Sequence, residues 1–148
     1  SKEVAESVAS TATILRDHLP VVEFVRSNEI TVRLPVEVPP RSEYVIGLSG
    51  RKTLDERGML FHYPSPDSHV SFWMKNTYFD LSIAFISSEL RVVEIRSMNA
   101  KSLEIIRPLD SHQYAIEVSE GWYSKHGIVV GDRVRFLFEL PTSDEDHN

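Results

Sequence analysis

Cysteine is absent from this 148-residue chain, as are glycine-rich runs, long apolar runs and an excess of basic residues. Without cysteine the chain has no disulfides, no thiolate nucleophiles and no zinc–thiolate sites. No apolar run approaches the about eighteen residues that a membrane helix needs, so the sequence predicts a soluble protein. Its compartment stays open between the cytoplasm and export with removal of a leader. The lack of glycine-rich runs disfavours phosphate loops and dinucleotide sites.

Acidic residues outnumber basic residues by 22 to 16, which gives a formal net charge of -6. A nucleic-acid surface needs a basic patch that neutralises phosphates, so this balance argues against a nucleic-acid partner. The length suits one domain, and a hydrophobic content of 41% is ordinary for a globular protein. We therefore expect a single folded body.

Short strands separated by turns dominate the sequence pattern. The alternation of apolar and polar residues from Ile30 to Val38 predicts a strand with one exposed face, and Pro35 indicates an edge strand. About eight or nine such segments follow one another without strand–helix–strand alternation. The pattern favours an all-β, mainly antiparallel domain, either a compact β-sandwich or a jelly-roll-like barrel.

Helical patterns are confined to two places. Residues 2–19 carry apolar side chains at helical spacing, which predicts an N-terminal helix that packs on the domain or contacts another subunit; a frayed segment is the alternative. Residues 119–127 predict one or two helical turns ended by glycine. The expected parts are an N-terminal helical or edge extension at 1–29, a β domain at 30–140 and a disordered acidic tail at 141–148.

The segment 71–77 is the most distinctive part of the chain. As a strand it places its side chains alternately on two faces. One face carries Phe72, Met74 and Asn76. The other carries Trp73, Lys75 and Thr77. The first face is typical of a core, and the second fits either an amphipathic sheet surface or the wall of a binding site.

Five segments together carry a family resemblance. They are Gly47-Leu48 with Gly50-Arg51, Gly58-Met59-Leu60-Phe61, Phe72-Trp73-Met74-Lys75-Asn76-Thr77, Tyr114-Ala115-Ile116-Glu117, and Gly127-Ile128 with Gly131-Asp132. In order and spacing they resemble the bacterial and archaeal family called domain of unknown function 192, over roughly residues 30–140. The resemblance implies a compact all-β, jelly-roll-like domain and no established activity. Ser49 stands where the family usually has Met, and Ser82 where it usually has Asp.

A polar patch around Trp73 is the predicted functional surface. The predicted binding residues are Arg51, Trp73, Lys75, Asn76, Thr77 and Glu117. An aromatic platform flanked by hydrogen-bonding groups suits a saccharide, a peptide or a protein partner, so we favour a non-enzymatic binding or assembly module. The alternative is an internal ion pair between Lys75 and Glu117 that leaves no pocket.

Two further functions stay open. A hydrolase or a metal-dependent enzyme would use His62 or His112 with Glu117 or Asp80. A metal site would draw its ligands from His62, His69, His112 and Glu117, although no short ligand pair such as His-x-His is present. A serine hydrolase built on Ser49 lacks the second glycine of a nucleophile elbow. A structural subunit would instead dock its neighbours, and oligomerise, through the N-terminal helix and the acidic tail. We predict no cofactor, no metal site and no catalytic residue.

Overall fold

The computed structural model describes residues 18–66 and 70–140, which contain nine strands and two short helical segments. The strands are β1 (Val21–Val25), β2 (Thr31–Glu37), β3 (Gly58–His62), β4 (Phe72–Trp73), β5 (Leu81–Ile86), β6 (Val92–Met98), β7 (Ile105–Ile106), β8 (Tyr114–Ser119) and β9 (Arg133–Phe136). The helical segments are a 3-10 turn at Arg41–Glu43 and α1 at Trp122–Lys125. Residues 1–17, 67–69 and 141–148 lie outside this description, and with them the bulk of the predicted N-terminal helix, the acidic tail and His69.

Seven strands form one mixed sheet in the order β6-β5-β8-β3-β2-β1-β9, and β4 pairs with β7 in a small second sheet. Within the large sheet only β2 and β3 run parallel. The prediction of a mainly antiparallel β domain with few helices is confirmed. The sheet extends upstream of residue 30, since β1 pairs with both β2 and β9.

The two edges of the large sheet approach each other without closing a barrel. An isolated bridge joins Arg91 to Arg133, and the Val134 amide donates to the Leu90 carbonyl at 2.9 Å. The right-handed twist of successive strands accumulates across seven strands, which explains how the edges come together. In place of the expected sandwich or jelly-roll-like barrel, the described strands form one large sheet and a two-stranded ribbon.

Pro35 does not mark an edge strand, because β2 lies between β1 and β3. Pro35 faces Val21 on β1, and the pairing of β2 with β3 begins only at the next residue, Val36. The Val36 amide donates to the Pro20 carbonyl at 2.9 Å, toward the β1 side. Amides alternate in direction along a strand, so an amide hydrogen at position 35 would point toward β3. The pairing with β3 has not begun at that position, so the lack of this hydrogen in Pro35 costs no hydrogen bond.

The large sheet carries a hydrophobic core on each face. The first core includes Val22, Phe24, Leu34, Leu60, Ile116 and Val118, together with Tyr123 of α1. The second core includes Met59, Phe61, Leu81, Ile83, Phe85 and Ala115, together with Leu48, Leu54, Met74 and Ile106 from the covering segments. Strand β8 contributes alternate residues to both cores, as the period of two along a strand requires.

Helix α1 confirms the short helix predicted within 119–127. Its buried Tyr123 donates a hydroxyl hydrogen bond to the Ile116 carbonyl at 2.7 Å and packs edge-on against Phe24. The helix therefore closes the first core and satisfies its own polar atom there. The second core has no comparable helix among residues 18–66 and 70–140, and loops cover it instead.

Candidate functional site

A cavity of about 300 Å³ lies in the cover of the second core, beside the half-exposed side chain of Trp73. We call it the Trp73 pocket. Its lining comes from residues 44–49, from Phe61 and Tyr63 at the end of β3, from Val70, Ser71, Phe72, Trp73, Lys75 and Thr77, and from Glu117 of β8. These residues are distant in sequence, so only the tertiary structure brings them to one place.

The strand predicted over 71–77 is shorter than expected. Only Phe72–Trp73 is a strand, paired with Ile105–Ile106, and a turn follows in which the Thr77 amide donates to the Met74 carbonyl at 2.9 Å. Asn76 has a φ of 62°, in the left-handed region that asparagine tolerates better than most residues. This turn ends the alternation, so Thr77 is buried and Asn76 is exposed.

The rim of the pocket pairs a cation with an aromatic ring. The Lys75 Nζ lies 5.2 Å from the centroid of the Trp73 ring, a distance at which the ring quadrupole attracts a cation. Both side chains therefore lie on the same side, as predicted. Within residues 18–66 and 70–140, no ion pair joins Lys75 to Glu117, so the alternative of a locked internal pair does not describe this site.

Glu117 is the unusual residue of the pocket. On β8 it faces Met59 of β3 and Ile83 of β5, both buried and apolar. The side chain is 7% exposed, and its carboxyl has no hydrogen bond or ion pair within the described part of the chain. Burial raises the pKa of Glu117 to about 8, because the charged form loses its hydration. The carboxyl is therefore largely protonated at neutral pH and can donate as well as accept.

Aromatic rings form the walls around this carboxyl. Tyr44 contacts Phe61 edge-on with ring centroids 5.0 Å apart, and Phe61 contacts Phe72 at 5.7 Å. Tyr63 also faces Tyr44 at 5.7 Å, and its burial raises the pKa of its phenol above the ordinary value. The pocket thus combines an apolar aromatic wall with one buried polar group, a composition typical of ligand sites.

Hydrogen bonds to the neighbouring backbone hold in place the loops that cover the second core. The Tyr44 hydroxyl accepts from the His62 amide at 2.7 Å and donates to the His62 carbonyl at 3.0 Å, which pins segment 44–49 to the end of β3. The Gly50 amide donates to the Asn76 carbonyl at 2.8 Å, which joins the two loops. Asn76 therefore contributes backbone to the site, and its side chain does not line the pocket.

Arg51 lies outside the pocket, contrary to its predicted position in the patch. Its guanidinium donates two hydrogen bonds to the carboxylate of Glu37, at 2.6 and 2.7 Å. It lines a neighbouring cavity of about 560 Å³, which shares Ile46, Gly47 and Ser49 with the Trp73 pocket. Gly50 has a φ of 81°, a conformation that favours glycine, and the chain reverses there. Of the six predicted binding residues, Trp73, Lys75, Thr77 and Glu117 line the pocket.

The proposed hydrolase residues that lie in the described part of the chain do not converge. The ring of His112 is buried against Tyr63 and Phe85, and His62 stacks on Tyr114. Asp80 accepts a hydrogen bond from the Ala100 amide at 2.8 Å, away from the pocket. No group of three or more His, Asp or Glu side chains within residues 18–66 and 70–140 is placed to hold a metal. Of the residues in these sets that the structure describes, Glu117 and Ser49 line the pocket.

Sequence reasoning missed Tyr44, Phe61 and Tyr63 as wall residues. Alternation along β3 carries a signal for two of them, since Met59, Phe61 and Tyr63 share the parity that faces Ala115 and Glu117 in the register. Tyr44 lies in an irregular segment, where no periodicity of the sequence indicates which way its side chain points. That wall could not be derived from local pattern alone.

The sequence pattern of domain of unknown function 192, described as an uncharacterized ACR, matches residues 24–136. The chain belongs to this family. Domain of unknown function 192 has no established activity, and no curated protein matches the chain. None of the helices in residues 18–66 and 70–140 is long and apolar enough to cross a membrane.

Two solved bacterial structures resemble this member of domain of unknown function 192. A proposed transcription regulator from Sinorhizobium meliloti 1021 is 30% identical with a TM-score of 0.72, and the match covers 79% of this chain and 92% of that one. A protein of unknown function from Novosphingobium aromaticivorans DSM 12444 is 28% identical with a TM-score of 0.70, covering 78% and 83%. These likenesses support the fold, and neither supplies a reaction.

Proposed function

We propose that this domain is a non-enzymatic binding module, which holds a compact apolar ligand or a single side chain of a partner peptide in the Trp73 pocket. The observation that carries the proposal is the buried carboxyl of Glu117, which has no hydrogen bond or ion pair within the described residues and lines an aromatic cavity. A carboxyl surrounded by apolar side chains is poorly hydrated even where its oxygens face a cavity, and a ligand that pairs with it regains part of that cost.

The size of the cavity selects among the expected partner classes. Sites for small molecules span roughly 300–1,000 Å³, so a volume of about 300 Å³ suits a compact ligand. An extended saccharide fits less well, because a sugar ring stacks on an open aromatic face and the Lys75 ammonium lies over the Trp73 ring. A partner side chain inserted from a peptide meets the same size limit.

The rim of the pocket supports contact with an apolar partner. Val45 is 98% exposed and Ile46 is 60% exposed, next to the half-exposed Trp73. These three side chains surround the cavity, and apolar side chains grouped in this way mark interaction sites more often than scattered ones do. The rim therefore favours binding over a purely internal packing role.

Acid–base catalysis is the second candidate function, and one observation favours it. A carboxyl whose pKa is raised to about 8 in a cavity suits a general acid or base near neutral pH. Its test is hydrolysis of a panel of small esters and amides by the purified protein and by Glu117→Gln. Turnover that disappears in the variant would replace the binding proposal with an enzyme.

The binding proposal is tested by amide NMR of the full chain against a library of small ring compounds. We expect compounds that bind to shift the amides of residues 44–49 and 70–77, and Trp73→Ala to weaken them at least about tenfold. Leu109→Ala is the matched control, since Leu109 is 86% exposed and does not line the pocket. If no compound shifts those amides in the folded protein, the proposal fails.

A further inference from the structure

We propose that the chemical group recognised at Glu117 is a protonated primary amine, carried on a compact aromatic or branched aliphatic body. This inference rests on the proposed function, since it names the ligand class of the same pocket. The geometry that carries it is a carboxyl enclosed by apolar and aromatic side chains, with no cation beside it among the described residues.

The polar groups that face Glu117 include phenols and one rim ammonium, and none of them forms an ion pair with its carboxyl among the described residues. Segment 44–49 presents the Tyr44 phenol, β3 presents the Tyr63 phenol, and the rim presents the Lys75 ammonium, which lies over Trp73. Behind β8, the Tyr123 hydroxyl is already engaged with the Ile116 carbonyl. These phenols are neutral hydrogen-bonding groups, and no ion pair joins the Lys75 ammonium to Glu117, so no side chain within residues 18–66 and 70–140 pairs an opposite charge with the carboxyl. A ligand ammonium would supply that charge.

The aromatic walls favour a cation over an anion. The faces of aromatic rings carry negative partial charge and attract ammonium groups within about 6 Å of the ring centroid. A carboxylate or phosphate ligand would be repelled by these electron-rich rings, and by Glu117 whenever that residue is ionised. Lys75 is the one basic side chain that lines the Trp73 pocket among the described residues, and its ammonium is at the rim. The interior of the pocket therefore discriminates against anions.

Binding of an ammonium changes the protonation of the protein. In the free state Glu117 is largely protonated at neutral pH, because its burial raises its pKa to about 8. The ammonium pairs with the carboxylate, so the O–H bond of the Glu117 carboxyl breaks and its proton passes to the buffer, and no other covalent bond changes. Below the pKa of Glu117, affinity for the ammonium then increases about tenfold for each unit by which the pH is raised, and it levels off above that pKa.

Three matched probes test this inference on the full chain: benzylamine, benzyl alcohol and benzoate. Affinities are measured by amide NMR titration between pH 6 and pH 8.5, and proton release by calorimetry in buffers of different ionisation enthalpy. We expect benzylamine to bind at least about tenfold more tightly than benzyl alcohol at pH 8 and to release up to one proton at pH 7. Benzoate should bind most weakly.

Two variants separate the pocket carboxyl from other acids. Glu117→Gln should remove both the preference for benzylamine over benzyl alcohol and the pH dependence, while benzyl alcohol still binds. Glu120→Gln is the matched control, because Glu120 accepts hydrogen bonds from Ser82 and Ser97 outside the pocket. It should leave both properties unchanged. If Glu117→Gln does not fold, the pH dependence and proton release of the wild type still decide the question.

Each contrary result has a distinct meaning. Benzyl alcohol or benzoate binding as tightly as benzylamine would overturn the amine inference and leave the binding module intact. Benzylamine binding without proton release at pH 7 would overturn it as well. Failure of all three probes to shift the amides of residues 44–49 and 70–77 would count against the pocket as a binding site, and the amine inference would fall with it.

Discussion

The two cores lie on opposite faces of one sheet and are closed by different means. Strands β1, β2 and β9 and helix α1 close the first core, and the buried hydroxyl of Tyr123 has a hydrogen-bond partner there. Irregular segments and the β4–β7 ribbon cover the second core, which contains Glu117 and the Trp73 pocket. Regular elements pack their side chains densely, whereas loops leave space and carry function. On the binding proposal, the first face stabilises the fold and the second face holds the ligand.

The largest expected effect comes from the first core. Phe24 is fully buried and contacts the rings of Trp122 and Tyr123, so Phe24→Ala should lower the free energy of unfolding by about 3–5 kcal/mol. Urea denaturation of the wild type and the variant measures this change in the free energy of unfolding. Phe72→Ala in the second core should cost less, because Phe72 is only partly buried. Equal losses would break the distinction between the two faces.

The second core should weaken as pH rises. The pKa of Glu117 is about 8 when folded against an ordinary 4.5, so the folded state binds more protons than the unfolded state between these values. Stability then falls with rising pH, by up to about 1.4 kcal/mol per unit, and is level below 4.5 and above 8. Urea denaturation across this range measures the slope, which Glu117→Gln should remove. A slope of opposite sign would show that the carboxyl is charged in the folded state.

Trp73→Ala should change stability little. Half of the side chain is already exposed, and its contact with the Lys75 ammonium contributes about 0.5–1 kcal/mol. We expect a loss of about 1 kcal/mol in urea denaturation, together with the weakened ligand binding described above. A loss comparable to that of Phe24→Ala would show that the rim is part of the structural core.

The smallest effect is expected at Arg51. Its paired hydrogen bonds to Glu37 lie at a partly exposed site, where ion pairs contribute about 0–1 kcal/mol. Arg51→Ala should therefore lower stability by no more than about 1 kcal/mol and leave benzylamine affinity unchanged. A clear loss of affinity would extend the binding site into the neighbouring cavity.

The local sequence pattern predicted the strands well, because the residues within each segment are enough to indicate an extended backbone. The strand from Ile30 to Val38 and the short helix α1 were both indicated in this way. The sequence pattern did not predict the direction of a side chain where that direction depends on a single backbone angle or on a residue remote in sequence. The turn at Asn76 interrupted the predicted strand, and Arg51 pairs with Glu37 outside the Trp73 pocket.

The sequence by itself determined which side chains share a face of a strand, since alternation is a property of the extended backbone. It therefore predicted Trp73 and Lys75 on one side, although Lys75 lies in the turn that follows β4 and not in a strand. Only the tertiary structure decided that Glu117 faces Met59 and Ile83, and that segments 44–49 and 70–77 meet above it. Burial and pKa depend on neighbours that are remote along the chain, and no local periodicity encodes which neighbours those are.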